Sequence, residues 1–286
     1  MVAAKNLIFP PVTFQKGKDF KPRPSDVIIT PWSKGGTTWL QQIAHGLRAG
    51  GDMDFEDISE VSPWIEVADA LGIDLNLDQG WEPRIFKSHY NHIAVPKGCR
   101  YIVSLREPYS TMISYYRFYE GWMFEPGAVT IDEYLAPFIR RDGAKDYWTH
   151  IESWWGRRDS PDTLLLSYEL MQRDLEGTVR AVAEFLEIDT DEALIELVMH
   201  QSTREFMLTH VDRFNDKLHR ERSEAVGALP PGAGSTKVTD GAYDPSRYEM
   251  SADTRAGMER NWADTMGATF GLATYDDLTQ RFRIGG

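Results

Sequence analysis

From residue 27 to residue 40 the chain reads Val27-Ile28-Ile29-Thr30-Pro31-Trp32-Ser33-Lys34-Gly35-Gly36-Thr37-Thr38-Trp39-Leu40. The β-branched apolar residues at the start predict a buried strand. A tight turn with Lys34, Gly35 and Gly36 follows. Thr37 and Thr38 then open a segment in which Trp39, Leu40, Ile43, Ala44 and Leu47 recur at helical spacing. Strand, glycine turn and helix start together make a P-loop-like cradle for a phosphate-like anion. Glycines let backbone N–H groups approach the ligand, the helix N-terminus adds its partial positive charge, and hydroxyls and a lysine complete the shell. The order differs from a Walker A loop, in which Lys-Ser/Thr directly follows the last glycine. Here the lysine precedes the glycines. In isolation the segment can also be read as a strand–turn–helix with incidental glycines.

Further apolar runs predict strands at 84–88, 101–105 and 163–167, beside the first at 27–30. Residues 170–186 place Met171, Leu175, Val179, Val182, Phe185 and Leu186 on one stripe and predict a helix. Another is predicted from Pro108, just inside its first turn, to about Phe118. Strands alternating with helices predict an α/β fold: a single domain over residues 1–286 with a central parallel sheet flanked by helices. Ligands of such sheets bind at the carboxyl ends of the strands. The Lys34 turn, Lys87 to His89, and Arg106 all fall at such ends and can meet in one crevice. Residues 225–243 have loop composition over an unusual length, as expected either of a mobile lid or of a plain surface excursion.

The first segment resembles the 5′-phosphosulfate loop of the sulfotransferases that use 3′-phosphoadenosine 5′-phosphosulfate (PAPS), the cytosolic type. That loop reads Pro-Lys-Ser-Gly-Thr-Thr-Trp. Lys34, Gly36, Thr37, Thr38 and Trp39 match it in place, whereas Ser33 and Gly35 stand where proline and serine are usual. Phe86-Lys87-Ser88-His89-Tyr90 is similar to the family's Lys-Thr-His segment. The resemblance implies that His89 is the general base for the acceptor hydroxyl, a task that suits imidazole because its ordinary pKa lies near the working pH. It implies Lys87 as a cation that helps neutralise the transferring group, and Lys34 as the cation that follows charge onto the bridging oxygen of the leaving nucleotide. Arg106, Pro108 and Ser114 match the 3′-phosphate segment, and the arginine fork can grip a phosphate with two bonds.

The likeness continues through Tyr147 to Trp155 and Leu164 to Glu169, so that it runs over residues 27–241. Tyr168 falls where the family places a tyrosine against adenine, and Trp39 offers a flat face for the same base. The tryptophans between 148 and 155 read as core. Ser202 falls on the family's hydroxyl position, while Arg204 replaces a stacking phenylalanine. Either its guanidinium stacks instead, or Phe206 does so after a shift of register. The family's Arg-Lys-Gly contact to the 3′-phosphate reads Thr239-Asp240-Gly241 here, retaining only Gly241, with Lys237 as the candidate substitute.

Composition narrows the partners. The balance of 31 Lys+Arg against 44 Asp+Glu gives a net charge of −13. That argues against nucleic acid and against anionic membrane, both of which need a basic face. An anionic ligand must then be held by a local group of lysines and arginines. Cys99 is the one cysteine, which excludes an internal disulfide and reads as a packing residue. The N-terminal residues lack the apolar core of a signal peptide, and the expectation is a cytoplasmic protein without stable membrane insertion. His89 and His92 match no zinc spacing, and no metal site is expected. A P-loop kinase would need a Walker lysine and a magnesium carboxylate, neither of which is found. A non-catalytic nucleotide-binding module would have no use for His89 and Lys87. Ser62-Pro63-Trp64-Ile65, Tyr90, Phe118, Trp122 and Met123 suggest a hydrophobic hydroxyl-bearing acceptor, and serve equally well as core.

Overall fold

The computed structural model describes residues 6–120, 122–141, 146–228, 236–239 and 245–282. Four strands, β1 (Val27–Ile29), β2 (Ile85–Lys87), β3 (Arg100–Leu105) and β4 (Thr163–Ser167), form a sheet in the order β2-β1-β3-β4. Every pairing is parallel. The chain leaves β1 first to one side and then to the other. The crevice at the carboxyl ends of β1 and β3 is therefore the topological switch point where ligands of such sheets bind.

Helices cover both faces. Val27 and Ile29 point into one core with Leu40, Ile43 and Leu47 of α1 (Thr37–Arg48). Ile28 points into the other, with Tyr101, Val103, Met112 of α2 (Pro108–Glu120) and Trp154 of α3 (Tyr147–Trp155). Because both faces are covered, β1 and β2 are buried along their whole length, and β1 is an apolar run without alternation. Trp148, Trp154 and Trp155 are buried core residues, as their spacing predicts. A buried ion pair, Arg84 Nη2 to Asp26 Oδ2 at 2.6 Å, joins the start of β2 to that of β1.

The predicted helix over 170–186 is two helices. A short one, Tyr168–Arg173, ends at Asp174, and α4 (Leu175–Leu186) begins directly after. Asp174 leaves helical geometry (φ −137°, ψ 81°), and its carboxylate accepts from the Gly177 N–H at 2.7 Å. An aspartate that satisfies an unpaired N–H of the next helix stabilises a new start more than a continued turn. α5 (Glu192–Gln201) packs on α1 and α4. Of the predicted loop at 225–243, Ala225 ends the helix Lys217–Ala225, and residues 229–235 and 240–244 lie outside the described residues. Gly241 is among them. Among the described residues no helix is long and apolar enough to cross a membrane.

Candidate active site

The turn between β1 and α1 has the backbone of an anion cradle. Lys34 takes a left-handed conformation (φ 67°), unusual for a residue with a Cβ, and Gly36 follows at φ 99°. A Cβ on Gly36 would lie 2.9 Å from Cδ2 of Tyr168. One on Gly35 would lie 2.9 Å from the Trp32 carbonyl oxygen, which gives the departure from serine at this position a structural reason. Two bonds fasten the turn to the end of β3: Ser104 Oγ donates to the Gly35 carbonyl, and Arg106 Nη1 donates to the Lys34 carbonyl at 2.8 Å. α1 carries no acidic residue in its first turn, so its partial positive charge is not cancelled there. The Thr37 hydroxyl is buried with no hydrogen-bond partner among the described residues.

Lysines gather above this cradle. Lys34 Nζ sits over the Phe118 ring, 4.6 Å from its centre. Lys87, 3% exposed along its side chain, leaves the carboxyl end of β2 and lies 4.1 Å over Trp64. Lys237 pairs with Asp216, and Lys87 approaches the same carboxylate at 3.4 Å. Burial, then the charges of Lys237 and Arg106, push the Lys34 ammonium down to about 7. Burial likewise pushes Lys87 down to about 7, against the opposing pull of Asp216. An anion placed against these lysines would raise their proton affinity again.

His89 follows Lys87 by two residues. Its Nδ1 lies 2.8 Å from the Pro31 carbonyl. A carbonyl only accepts, so Nδ1 carries the proton and the basic lone pair of the neutral ring is on Nε2. Glu66, fully buried, accepts from the His89 backbone N–H at 2.5 Å and fixes the chain at this point. The imidazole meets Trp64 edge-on, with ring centres 5.1 Å apart.

On the β3–β4 side the Arg106 guanidinium lies over Tyr168, 4.4 Å from the ring centre, and Tyr168 meets Trp39 edge-on at 5.9 Å. Trp39 Nε1 donates to the Ser202 carbonyl at 2.8 Å. Arg106 Nε and Ser202 Oγ are buried with no hydrogen-bond partner among the described residues. Ser114 is half-buried on α2. Arg204 donates twice to the Thr239 carbonyl, at 2.8 and 2.7 Å, and Phe206 stacks on His210 with ring centres 4.1 Å apart.

The apolar set divides. Trp64 and Phe118 flank His89 and Lys34, and Trp122 packs on Phe118 at 5.5 Å. Met123 packs beside Trp64 against the cluster of Ile8, Phe9 and Val67. Ser62, Pro63, Ile65 and Tyr90 are buried and belong to the fold, with Tyr90 Oη donating to the Phe14 carbonyl at 2.7 Å. Cys99 is buried, and burial pushes its thiol up to about 12, in keeping with a packing residue. His92 packs against Trp154 with ring centres 5.1 Å apart. Sequence reasoning passed over Asp216, His219 and Glu66. Single acidic residues or a single histidine carry no spacing signal, and only the fold brings Asp216 to Lys87, far back in the chain.

Residues 24–224 match the Sulfotransferase domain family. Sulfotransferase 1B1 of Canis lupus familiaris is 29% identical over 203 residues, which cover 66% of this chain and 68% of that protein. Sulfotransferase 1C2 of Rattus norvegicus is 30% identical over 200 residues, covering 66% and 67%. Among solved structures, retinol dehydratase in complex with androsterone and the inactive cofactor PAP superposes with a TM-score of 0.71 at 16% identity, over 90% of this chain and 86% of that one. Mouse sulfotransferase SULT7A1 complexed with PAP gives 0.66 at 16% identity, over 92% of each chain. The fold is thus shared with sulfotransferases, and with the family match over most of its length this chain belongs to the sulfotransferase family.

Proposed function

We propose that the protein transfers a sulfuryl group from PAPS to a hydroxyl of a small hydrophobic acceptor, with His89 as the general base. The observation that carries this reading is the meeting of Lys34, Lys87 and Arg106 at the carboxyl ends of three adjacent strands. His89 stands beside them with Nδ1 bound to the Pro31 carbonyl. PAPS fits the remaining partners. The unpaired Thr37 hydroxyl and the α1 N-terminus suit a 5′-phosphosulfate, the unpaired Arg106 Nε suits a 3′-phosphate with Ser114, and Tyr168 and Trp39 offer ring faces to adenine. Binding of the product nucleotide PAP (3′-phosphoadenosine 5′-phosphate) by structural relatives supports the same donor.

In the reaction the acceptor oxygen gives its proton to His89 Nε2 as it attacks sulfur. The bond from sulfur to the bridging oxygen breaks, and negative charge grows on the 5′-phosphate. Lys34 and the N–H groups of residues 35–38 face that charge, while Lys87 faces the transferring group. This is catalysis by position and charge, as in phosphoryl transfer, with lysines in the place of magnesium. Lys237 belongs with Lys34 and Lys87 in this reading, since it shares Asp216 with Lys87 and lowers Lys34 more than any other charge. Trp64 and Phe118 supply apolar walls beside the base, which suits acceptors of the kind named for a structural relative, androsterone. The test is incubation with PAPS and a panel of phenols, sterols and polyprenoid alcohols. The expected result is PAP released in equal amount to a sulfated product. PAP release from no member of the panel, together with no PAPS binding, overturns the reading.

A further inference from the structure

We propose that Asp216 is a positioning residue of the anion site: it offsets the repulsion between the ammonium groups of Lys87 and Lys237 and holds them in place before the sulfuryl donor arrives. This rests on the assignment of those lysines to the phosphosulfate end of the site. Asp216 is buried and is reached from several sides. Lys87 comes from β2, with Nζ 3.4 Å from Oδ1 and 3.5 Å from Oδ2. Lys237 comes from the 236–239 segment and pairs with Oδ2. His219 of the helix Lys217–Ala225 places Nδ1 3.7 Å from Oδ2, and Ser59 Oγ donates to Oδ1 at 3.3 Å. Lys34 of the β1–α1 turn and Tyr119 of α2 feel its charge, and Asp57 adds a second, weaker acidic influence on Lys87. Arg106 acts on Lys34 from the end of β3.

Three lysines and an arginine in one crevice repel each other, and burial removes the water that would otherwise offset this. One carboxylate shared between two of the lysines supplies the opposing charge. Burial alone would raise the Asp216 carboxyl, but Lys237, Lys87 and His219 outweigh it and hold the group well below the usual carboxylate range. The aspartate therefore stays ionised wherever the lysines are charged. Its backbone is left-handed (φ 50°, ψ 55°), a conformation that costs stability for most residues and that Asp and Asn tolerate best.

Asp216→Asn keeps the shape, the backbone preference and the acceptor for Ser59 while removing the charge. PAP affinity and proton uptake are measured by calorimetry between about pH 6 and pH 8.5, in two buffers of different ionisation enthalpy. An opposite charge at this range moves an ionisation by about one unit or more. Wild type and variant should differ least near pH 6, where Lys34 and Lys87 are most fully charged. On the alkaline side the variant should lose affinity about one pH unit earlier, and should therefore be about tenfold weaker at a fixed pH there, with more protons taken up on binding. A purely structural role predicts a uniform loss at every pH with unchanged proton uptake, and that result overturns the inference. If the Asn variant does not fold, Asp216→Gly suits the same φ and is read in the same way. If wild type binds no PAP at any pH, the assignment of the phosphosulfate end fails, and this inference with it.

Discussion

Removing the Arg106 side chain should separate the 3′-phosphate from the rest of the nucleotide. In the proposed reading Arg106 does two jobs through different nitrogens. Nη1 is committed to the Lys34 carbonyl at 2.8 Å, while Nε is buried without a partner. Losing the first bond loosens the turn that carries Lys34, at a cost of about 0.5–1.5 kcal/mol. That cost falls on any adenosine nucleotide with a 5′-phosphate, and should weaken both PAP and AMP by roughly two- to tenfold. Losing the grip on a 3′-phosphate removes charge-assisted bonds of about 1.5–3 kcal/mol each, and only PAP has that group. Arg106→Ala should therefore cut the preference for PAP over AMP by roughly one to two orders of magnitude, on top of the shared loss. Arg106→Lys keeps the charge without the fork and should fall between. The assay is calorimetric titration of the three proteins with both nucleotides. If the two nucleotides lose equally, Arg106 only braces the turn and the 3′-phosphate is held elsewhere.

His89→Ala should lower turnover by about two to four orders of magnitude and leave PAP affinity nearly unchanged, as measured by steady-state rates and titration; lost binding with retained turnover would contradict its role as the base. Nucleotide affinity should fall as pH rises through about 7, because binding an anion favours the charged forms of Lys34 and Lys87, which titrate there in the donor-free protein; titrations at pH 6, 7 and 8.5 check this. The same two lysines hold protons to about 10.5 when unfolded but only to about 7 when folded, so their contribution to donor-free stability should rise between pH 7 and 9 in urea melts. Gly36→Ala should cost about 1–3 kcal/mol in those melts and also weaken PAP binding, since its φ of 99° is unfavourable to alanine and the new Cβ would meet Tyr168 at 2.9 Å. Turnover should survive EDTA, because in the proposed reading lysines take the place that magnesium has in kinases.

The parallel sheet was legible because covered strands must be apolar runs, and β1 and β3 lie in such runs between helical patterns. The crevice was legible for a topological reason: strand ends of a parallel sheet converge, so Lys34, Lys87 and Arg106 could be assigned to one place from chain order alone. The break at Asp174 was hidden, because its apolar stripe continues across it. Met171 on one helix and Val179, Val182 and Leu186 on the next still share one core. Asp216 was hidden for a different reason. Its meaning is a contact with Lys87, 129 residues away in sequence, and no local pattern records a contact of that kind.

The charge arrangement joins these observations. The chain as a whole carries −13, which opposes an anionic ligand at long range. In physiological salt, exposed charges are screened over about 8 Å, whereas buried ones are screened much less. Lys87 and Asp216 are largely out of solvent, with side chains 3% and 11% exposed. In the proposed reading the site therefore depends on its own short-range charges, and the acidic surface acts on it only weakly. A cluster of that kind cannot be purely cationic before the ligand arrives, because buried like charges lower each other's proton affinity until some go neutral. One internal carboxylate offsets part of the repulsion and leaves a net positive crevice. Placing that carboxylate at a left-handed residue next to a helix start holds it by backbone geometry, so that the lysines, with their longer side chains, are the groups able to turn toward an incoming anion.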